Sequence, residues 1–585
     1  MKRFETHSHS CYSNIRLLDS INTINDILTV PYKMGLSGVC LTDHECLSGA
    51  VELLTKEKEL KETGALPSDY KCGIGNEIYL TDTREKNQKY YHFILIAKDE
   101  IGFHQLCELS SKSWYNSYFD RGMERVPTLK SELQEVIEKN KGHVIATSSC
   151  IGGELPTLLL EMKKDSSKKK EAEKFLQYCK NLFEDDFYLE VAPGMREDQT
   201  YVNKIIYNLS QLYHIKIIYG CDAHYQEKNT RFVHKAYLNS KEGEREVDDF
   251  YEFSHFMSND EAWEYFQSSY NNISIFEEMC KNSMEIYDKI KGYNGIFNNP
   301  IIPKTDVKDY PKQEKKTSHL TLDYLFSSDN IQERYWVNEC WNSLIEKNLV
   351  KKDNYINRLE TEADIIKTVG DKLGNCLFEY FNTFQHFIEL FWNCGSLNGP
   401  GRGSSVCFLS NYLLGITQLD PVEWNLAEYR FLNKDRLELP DVDTDLSPSK
   451  RPLIFQKIRE KRGELRLIQV ATFGTEGTKS AVLTSCRGYR SELYPEGIDV
   501  DEAQYIAGLI PSERGFLWPL NDMINGNEEK DRKPNQEFIK EVSKYPGLLD
   551  IMLGIEGLIN KRSQHASGVI IYNEDPWNTG AIMRS

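Results

Sequence analysis

The sequence predicts a multidomain protein of the α/β and α+β classes, with a distorted (β/α) barrel at the N-terminus and more helical domains after it. Three observations lead to this prediction. The chain has 585 residues, which corresponds to about four domains by length. Residues 1–225 alternate short β-rich runs with amphipathic helical stretches, and helical periodicity prevails from residue 320. A glycine-rich turn and a run of alternating aspartates follow between residues 399 and 445.

The N-terminal barrel is predicted from six β-rich runs that carry metal-binding residue types at or near their ends. The helical patterns between these runs, such as Thr23–Met34 and Ala50–Glu62, give the βαβα order of a parallel sheet that can close into a barrel. Since the carboxyl ends of parallel strands converge at one edge, we expect the metal-binding residues to meet there. The runs end at Thr6–His9, Val39–His44, Ile74–Glu77, Tyr91–Ile96, Val144–Cys150 and Ile217–His224.

The middle of the chain shows a change of pattern but no chemistry. Residues 225–300 are acidic, aromatic and largely helical in pattern, which indicates a transition between domains. Residues 303–318 are polar and contain lysine and proline, as in a connecting loop. The stretch Leu320–Phe391 is helical in pattern, with apolar residues recurring along Ile331–Leu344 and Tyr355–Val369. We expect amphipathic helices here that face a core.

The turn with three glycines between residues 399 and 403 has the composition of a phosphate cradle. Glycines let backbone amides approach an anion closely. Ser404 and Ser405 precede an apolar run, Val406–Leu414, and a hydroxyl residue that begins a helix directs the positive end of that helix at the anion. Arg402 adds a fixed charge with a geometry suited to phosphate.

Three aspartates, Asp441, Asp443 and Asp445, alternate along the next motif. This alternation predicts a β-strand on which all three carboxylates share one face. Carboxylates bind Mg²⁺, so a phosphate cradle followed by this strand is the combination that two-metal phosphoryl transfer requires. Each motif alone is more often a plain turn or a solvated strand edge.

Composition limits the kind of nucleic-acid contact and the compartment. The chain has 71 basic and 89 acidic residues, a net charge of −18, which argues against indiscriminate coating of nucleic acid and favours a local basic surface. The 14 cysteines are scattered without a Cys-x-x-Cys pair, which indicates a reducing, cytoplasmic location. Met1–Ser10 is polar and no apolar run reaches membrane-spanning length, so we expect no membrane contact.

Five motifs in a fixed order resemble the catalytic core of the C-family bacterial replicative polymerases, the alpha subunit of DNA polymerase III. They are GPGRGSSVCFLSNYLLGIT, FLNKDR, PDVDTDL, TFGT with Lys479, and HASGVII. The resemblance implies a DNA-directed DNA polymerase with a nucleotidyltransferase-type palm, a mostly helical thumb and two Mg²⁺ ions. It implies primer–template DNA, dNTPs and other replisome proteins as partners.

The same resemblance assigns roles to individual residues of the polymerase core. Asp441 and Asp443 are the expected catalytic carboxylates and Mg²⁺ ligands. The residues expected to contact the nucleotide or its phosphates are Gly401, Arg402, Gly403, Ser404, Ser405, Arg430, Arg436, Lys479, Arg562 and His565.

The N-terminal strand-end residues resemble the metal ligands of the PHP domain, a phosphoesterase module found in C-family polymerases. Asp19 is placed by the segment SNIRLLDS, which has extra residues relative to the commoner family spacing. The ligand types suit Zn²⁺, Mn²⁺ or Fe, and the implied activity is a 3′–5′ exonuclease. The expected ligands are His7, His9, Asp19, His44, Glu77, His92, Cys150, Asp222 and His224.

The resemblance also gives domain boundaries and leaves alternatives open. It implies a PHP domain over 1–270, a first part of the palm over 271–470, a thumb-like part over 471–550 and a return to the palm over 551–585. A third catalytic carboxylate is expected on a strand after the HASG element, so we expect polymerisation to need a second polypeptide with the remaining palm and the fingers. The chain then represents a split polymerase, a fragment or a decayed gene. The competing functions are a phosphoesterase that uses the palm only to hold DNA, and a non-catalytic scaffold.

Overall fold

The computed structural model describes residues 1–241, 250–297, 301–314, 317–435 and 439–584. These residues form two compact units. The first contains residues 1–294, 471–566 and 577–585, and the second contains residues 295–470 and 567–576.

The N-terminal part of the first unit is a curled sheet covered by helices. Its strands follow the order β1-β2-β3-β7-β8-β9, with β6 paired to β2. A separate hairpin consists of β4 (Tyr118–Asp120) and β5 (Met123–Arg125). The strands of the curled sheet are β1 (Gly38–Leu41), β2 (Lys71–Thr81), β3 (Tyr91–Ala97), β6 (Pro127–Leu129), β7 (Val144–Thr147), β8 (Phe187–Val191) and β9 (Ile217–Tyr219). The helices are α1 (Ile24–Lys33), α2 (Ala50–Glu62), α3 (Glu100–Tyr115), α4 (Lys130–Lys139), α5 (Glu154–Glu161), α6 (Lys168–Phe183), α7 (Glu197–Tyr213), α8 (Arg231–Asn239), α9 (Asn259–Phe266) and α10 (Ile273–Lys289).

The expectation of a parallel sheet is wrong for its central strand. β1–β2, β7–β8 and β8–β9 are parallel, but β3 runs antiparallel to both β2 and β7. The connection from β2 to β3, residues 82–90, is too short for the crossover that a parallel pair requires. A ligand near the start of β3 therefore lies at the same edge as ligands at the ends of the parallel strands.

The N-terminal run links the two sides of the sheet. Glu5 forms a parallel bridge with Val39 of β1, and Ser8 forms one with Ala223, shortly after β9. The predicted strand at Thr6–His9 is therefore an extended segment held by single bridges. Because β1, β7, β8 and β9 are buried on both faces, their sequences are apolar runs rather than alternating ones.

The second unit is mainly helical. The buried side chains of Trp336, Leu359, Phe381 and Phe408 belong to its core. The helices confirm the amphipathic pattern predicted for Leu320–Phe391. They are α11 (Leu320–Ser327), α12 (Ile331–Glu346), α13 (Asp353–Leu373), α14 (Leu377–Asn393), α15 (Leu409–Leu413) and α16 (Arg451–Arg462).

The C-terminal segment 471–566 shares a core with the N-terminal part of the first unit. Ile15 and Tyr237 lie in one buried cluster with Val482 and Met552. The boundary between the units falls within the two paired strands β10 and β13. The elements are β10 (Leu467–Thr475), α17 (Thr478–Gly488), α18 (Val500–Gly508), β11 (Ser512–Glu513), β12 (Phe516–Leu517), α19 (Leu520–Asn525), α20 (Gln536–Val542), α21 (Leu548–Ile555) and β13 (Ile559–Ile571). The assignment of palm and thumb domains stays a prediction.

Among the helices of the described ranges, none combines the length and the apolar character needed to cross a bilayer.

Candidate metal centre and phosphate loop

Four buried side chains, His7, His9, Glu77 and Asp222, meet at one edge of the curled sheet, and their ligand atoms lie within 4.8 Å of one another. The Nε2 atoms of His7 and His9 are 3.1 Å apart. Both lie 3.2 Å from Oδ1 of Asp222, and that buried oxygen accepts no hydrogen bond. Two donors bound to one ion at about 2.0–2.1 Å are roughly 3 Å apart, so these atoms are spaced as ligands of a common ion.

A second group shares His9 with the first. The imidazoles of His44 and His224 stack on that of His9, with ring centroids 4.2 and 4.4 Å away. One carboxylate oxygen of Asp19, Oδ2, lies 2.6 Å from Nε2 of His44 and 3.1 Å from Nε2 of His224. Three imidazoles and a carboxylate thus form a second potential binding position beside the first.

His92 and Cys150 complete the set of nine. Nδ1 of His92 contacts Oε1 of Glu77, and Sγ of Cys150 lies 3.5 Å from the same nitrogen. His92 is the second residue of the antiparallel strand β3, so the reversed direction of this strand brings it to the edge where the other residues lie. The structure therefore connects all nine sequence-predicted residues, while their role as ligands remains a proposal.

Backbone strain accompanies this convergence. Glu45, Ser149 and Asp222 have φ values of 56°, 61° and 48°, in the left-handed region that non-glycine residues rarely adopt. Each either belongs to the cluster or adjoins one of its members in the sequence. Strain of this kind costs about 1–3 kcal/mol per residue and concentrates at functional sites.

The buried imidazoles and carboxylates of the cluster shift one another's pKa values in both directions. Burial, together with the neighbouring imidazoles of His44 and His224, lowers the pKa of His9 to about 4, so His9 is neutral at pH 7. Burial alone would raise the pKa of Glu77, but the imidazoles of His92 and His44 hold that pKa well below its usual range. Burial alone would lower the pKa of His7, but the carboxylates of Asp222 and Glu190 hold that pKa well above its usual value. A metal ion binds neutral imidazoles and charged carboxylates, so its binding would displace a proton from His7.

Two residues that the sequence analysis missed orient members of the cluster. Oε1 of Glu190 lies 2.6 Å from Nδ1 of His7, and the other oxygen of Glu190 accepts a hydrogen bond from Thr147. The hydroxyl of Tyr251 donates to Oδ1 of Asp19 at 2.5 Å. Glu190 lies near the end of β8, so the strand-end pattern that identified the other residues also marks it. No local pattern marks Tyr251.

Asp43, which precedes His44 in the second β-rich run, also orients a member of the cluster. It accepts hydrogen bonds from the backbone amide of Ser10 and from Oγ of Ser13, at 2.7 and 2.8 Å. Ser13 Oγ lies 3.2 Å from Nδ1 of His9, so Asp43 orients His9 through this serine. Burial raises the pKa of Asp43 to about 6, against the lowering effect of these hydrogen bonds.

In the second unit, the glycine turn and the aspartate run lie against each other. The amide of Gly399 donates to the carbonyl of Asp445 at 2.8 Å. Arg402 pairs through Nη1 with Asp445 at 3.1 Å and through Nε with Asp443 at 3.9 Å. Gly403 has φ +65°, and a Cβ there would lie 3.4 Å from Oδ2 of Asp443. The sequence-predicted cradle and carboxylates are therefore neighbours.

Two local expectations for this region are wrong. The run Asp441–Asp445 has no regular secondary structure and pairs with no strand in the described residues, although its carboxylates are exposed and the intervening residues are half-buried. Ser405 begins a 3₁₀ turn, and the α-helix that follows is only Leu409–Leu413. The buried carboxylate of Glu362 accepts hydrogen bonds from the amides of Leu409 and Ser410, which fixes the later start of the helix.

The other residues predicted to contact nucleotide are more scattered. Ser404 is half-buried beside the turn, and Arg430 is exposed at the end of a 3₁₀ turn. Arg436 lies outside the described residues. Lys479 and His565 are exposed in the first unit, and Arg562, also in that unit, pairs with Glu124 at 2.5 Å. Their nucleotide-binding roles stay predictions.

The two candidate centres differ in how well they fit a metal ion. In the part of the chain that the structure describes, the clusters with three or more converging metal-type ligands belong to the first unit. Asp441 and Asp443 offer oxygen atoms, which Mg²⁺ prefers, but no such cluster includes them. The N-terminal centre thus fits a metal ion without further ligands.

Two family models match different parts of the chain. Residues 5–193 match the family model described as PHP domain. Residues 327–585 match the family model described as bacterial DNA polymerase III alpha NTPase domain.

Curated relatives match nearly the whole chain. It is 38% identical over 611 aligned residues to the probable DNA polymerase YorL of Bacillus subtilis, and equally to the DNA-directed DNA polymerase of Bacillus phage SPbeta. These alignments cover 99% of this chain and 46% of each relative. The DNA polymerase III subunit alpha of Borreliella burgdorferi is 28% identical, over 97% of this chain and 44% of that protein. The chain thus spans about half the length of these relatives.

Proposed function

The chain matches the N-terminal portion of the C-family DNA polymerase alpha subunits, including their PHP domain, and on this premise we propose two activities for it. The first unit is a metal-dependent 3′–5′ exonuclease. The second unit contributes the phosphate loop and two carboxylates to a template-directed DNA polymerase site. The exonuclease is supported most directly by the structure, and the polymerase mainly by the comparisons.

One observation carries the exonuclease proposal. Oδ1 of Asp222 is buried, lies 3.2 Å from Nε2 of both His7 and His9, and yet accepts no hydrogen bond. A buried carboxylate oxygen left without a partner costs free energy unless a cation binds it. A metal centre requires several ligand atoms close to one point, and Nε2 of His7, Nε2 of His9 and Oδ1 of Asp222 lie within 3.2 Å of one another.

The residues present fit divalent ions, and the proposed ions are Zn²⁺, Mn²⁺ or Fe, since imidazole, carboxylate and thiol donors suit all three. Bound ions would supply Lewis acidity and neutralise charge at the phosphodiester. His7, His9, Glu77 and Asp222 would hold one ion, and Asp19, His44 and His224 would hold another. Glu190 and Ser13 hold the rings of His7 and His9 in place through their second nitrogens.

The proposed reaction is hydrolysis of the last phosphodiester of a DNA strand. The oxygen of a water molecule bonds to phosphorus, the bond from phosphorus to the 3′ oxygen breaks, and that oxygen takes a proton. The products are a 5′-mononucleotide and a strand shortened by one residue with a free 3′ hydroxyl.

In the polymerase proposal, Asp441 and Asp443 bind Mg²⁺, and Arg402 with the amides of Gly401 and Gly403 binds the triphosphate of a dNTP. The proximity of Arg402 to Asp443 and Asp445 supports this assignment, because a nucleotide bound there meets both the loop and the carboxylates. Primer–template DNA and replisome proteins are the proposed partners. A second polypeptide carrying the remaining palm and the fingers is part of the same proposal.

A hydrolase that uses the second unit only as a platform for DNA is the alternative. It is favoured by the position of the converging metal-type clusters, which in the described residues all lie in the first unit.

The exonuclease is tested with the purified chain, Mn²⁺ or Zn²⁺, and oligonucleotides labelled at the 5′ end. We expect stepwise shortening from the 3′ end. Asp222→Asn should reduce the rate at least a hundredfold. His143→Gln is the matched control, because His143 is a partly buried histidine paired with Asp99 outside the cluster, and its rate should be unchanged. Equal rates for wild type and Asp222→Asn would refute the assignment.

A further inference from the structure

A fully buried ion pair, Arg3 with Glu5, lies just before the first candidate ligand of the metal centre, His7. Nη1 of Arg3 donates to Oε2 of Glu5 at 3.0 Å, and both side chains are 0% exposed. Removing two charges from water is costly, and a well-packed apolar pair is often at least as stable as a buried ion pair. The stability of the fold alone therefore does not account for these two residues.

The other carboxylate oxygen of Glu5 binds backbone amides. Oε1 accepts hydrogen bonds from the amides of Thr6 and His7, both at 3.2 Å, and from the amide of Cys221 at 2.9 Å. His7 and Asp222, the residue after Cys221, are candidate ligands of the same ion. One oxygen atom thus ties the backbone of one candidate ligand to the backbone beside the other.

The contact with Cys221 also bears on the strained backbone of Asp222, whose φ is 48°. Both neighbours of Asp222 are held by residues of the N-terminal run. The amide of Cys221 donates to Glu5, and the amide of Ala223 donates to the carbonyl of His7 at 3.2 Å. A left-handed conformation persists only where the surrounding structure enforces it, and Glu5 supplies one of the contacts that do so.

Arg3 orients the carboxylate that makes these contacts. Its guanidinium also donates through Nη2 to the carbonyl of Met257 at 2.5 Å and through Nε to Oδ1 of Asn259 at 3.1 Å. The same group lies 5.6 Å from the ring centroid of Tyr219. Because these contacts fix the guanidinium, Arg3 holds Oε2 of Glu5 and leaves Oε1 for the amides.

We propose that Glu5, oriented by Arg3, is a positioning residue of the metal centre. Its Oε1 fixes the backbone at His7 and Cys221, and thereby the separation of His7 and Asp222 that a shared ion requires. The inference rests on the metal centre of the proposed exonuclease and concerns two residues that would contact neither the ion nor the DNA. The pair should set the affinity and the coordination geometry of the ion that His7 and Asp222 share.

The test is a loss of metal affinity followed by its rescue. Glu5→Gln keeps one acceptor oxygen, and the guanidinium of Arg3 wins it from the backbone amides because charge-assisted hydrogen bonds are stronger. We expect the Kd of the Zn²⁺ ion that Asp222→Asn loses to rise at least about tenfold, measured by competition with a fluorescent chelator. Arg3→Met removes the competing donor, so Arg3→Met/Glu5→Gln should bind this ion within about threefold of wild type.

A pair that only stabilised the fold would behave in the opposite way, because the second replacement would add to the loss. Co²⁺ gives a further readout, since its visible absorption bands depend on the geometry of its ligands. These bands should change in Glu5→Gln and return to the wild-type form in Arg3→Met/Glu5→Gln.

Asp522→Asn is the matched control. Asp522 of α19 pairs with Arg532 at 2.6 Å, and the two side chains are 8% and 9% exposed. The variant breaks this largely buried ion pair outside the cluster, so it should lower the unfolding temperature and leave the Kd for Zn²⁺ and the Co²⁺ bands unchanged.

The outcomes separate this inference from the exonuclease proposal. An unchanged Kd in Glu5→Gln, or a double variant that binds no better than the single one, would overturn the inference and leave the exonuclease standing. Rescue of Zn²⁺ binding in a chain that hydrolyses no DNA would support the inference and refute the exonuclease. A wild-type chain that binds neither Zn²⁺ nor Co²⁺ would overturn both.

A second variant covers the case in which Glu5→Gln does not fold. Arg3→Met/Glu5→Leu lacks the charge and also the acceptor oxygen. It should bind Zn²⁺ at least about tenfold more weakly than Arg3→Met/Glu5→Gln, which keeps the acceptor. Equal affinities of these two double variants would overturn the inference.

Discussion

At the scale of single residues, the buried centre depends on side chains that contact no substrate. Glu190 is 1% exposed and lies against His7, the histidine that approaches both Glu77 and Asp222. Such partners fix the orientation of a candidate ligand and raise its basicity. Tyr251 and Ser13 fix the orientation of Asp19 and His9.

The first prediction concerns Glu190. Glu190→Gln should lower the affinity of the centre for Zn²⁺ about 10- to 100-fold, because the neutral amide no longer holds the imidazole of His7 as firmly. Competition with a fluorescent chelator measures the change. Glu171→Gln, an exposed glutamate on α6, is the control, and an equal affinity for wild type and Glu190→Gln would show that this contact does not support metal binding.

At the scale of elements, the contact between α8 and α17 requires a glycine, Gly488. A Cβ at Gly488, the last residue of α17, would lie 1.8 Å from the carbonyl oxygen of Ala236 in α8. The two helices therefore approach more closely than any other residue at this position permits.

Gly488→Ala should destabilise the first unit by more than about 2 kcal/mol, because the backbone must move to relieve the overlap. Gly508→Ala is the matched control. Gly508 also ends a helix, has open space around it, and alanine there should be neutral or stabilise by up to about 1 kcal/mol. Thermal unfolding of the two variants measures the difference, and equal midpoints would argue against the close packing of α8 on α17.

The segment that follows the glycine turn in the second unit is held by a buried carboxylate, that of Glu362 in α13. Its carboxylate accepts hydrogen bonds from Arg358 and from the amides of Leu409 and Ser410 at 2.6–2.8 Å. Burial raises the pKa of Glu362 above its ordinary value of 4.5, against the lowering effects of these amides and of Arg358. The folded chain therefore binds a proton at Glu362 more readily than the unfolded chain does.

This shift predicts a pH dependence of stability. The contribution of Glu362 to the free energy of unfolding should rise as the pH falls from neutrality towards 4.5, and should decline as the pH rises through the raised pKa. Glu362→Gln, which does not titrate, should lack this part of the pH dependence. Urea denaturation of both proteins between pH 4.5 and 7 gives the comparison, and a pH-independent difference between them would contradict the shift.

The sequence predicted more of the N-terminal centre than of the second unit, for physical reasons visible in particular residues. Strand ends converge in parallel α/β folds, so the positions of His44 and Asp222 at the ends of β-rich runs were enough to place them together. Tyr251 could not be placed in this way, since its contact with Asp19 spans 232 residues. The period of two at Asp441–Asp445 correctly predicts alternating exposure, but the predicted strand is absent from the described residues. Whether another strand pairs with it depends on distant residues, which a local pattern does not contain.

At the scale of the whole molecule, the two proposed activities place different demands on the chain. The N-terminal centre contains converging candidate ligands. In the described residues, Asp441 and Asp443 belong to no such cluster. They lie beside Arg402, which pairs with Asp443 and Asp445. Mg²⁺ requires near-octahedral geometry, so loss of a ligand displaces the ion.

We therefore expect residues 1–585 alone to extend no primer, while the exonuclease remains active. A second polypeptide that supplies the remaining palm and the fingers should restore extension, and Asp443→Ala should abolish the restored activity. Gel analysis of labelled primers measures both. Extension by the purified chain alone, lost in Asp443→Ala, would show that these 585 residues already contain a complete polymerase site.

The central claim is that the buried cluster of histidines and carboxylates is a metal centre. Its most direct test is the metal content of the chain after equilibration with Zn²⁺ or Mn²⁺ and removal of free ions, measured by inductively coupled plasma mass spectrometry. The account predicts at least two ions per chain, reduced by at least one in Asp222→Asn and unchanged in His143→Gln. A folded wild-type chain that retains no metal under these conditions would contradict it.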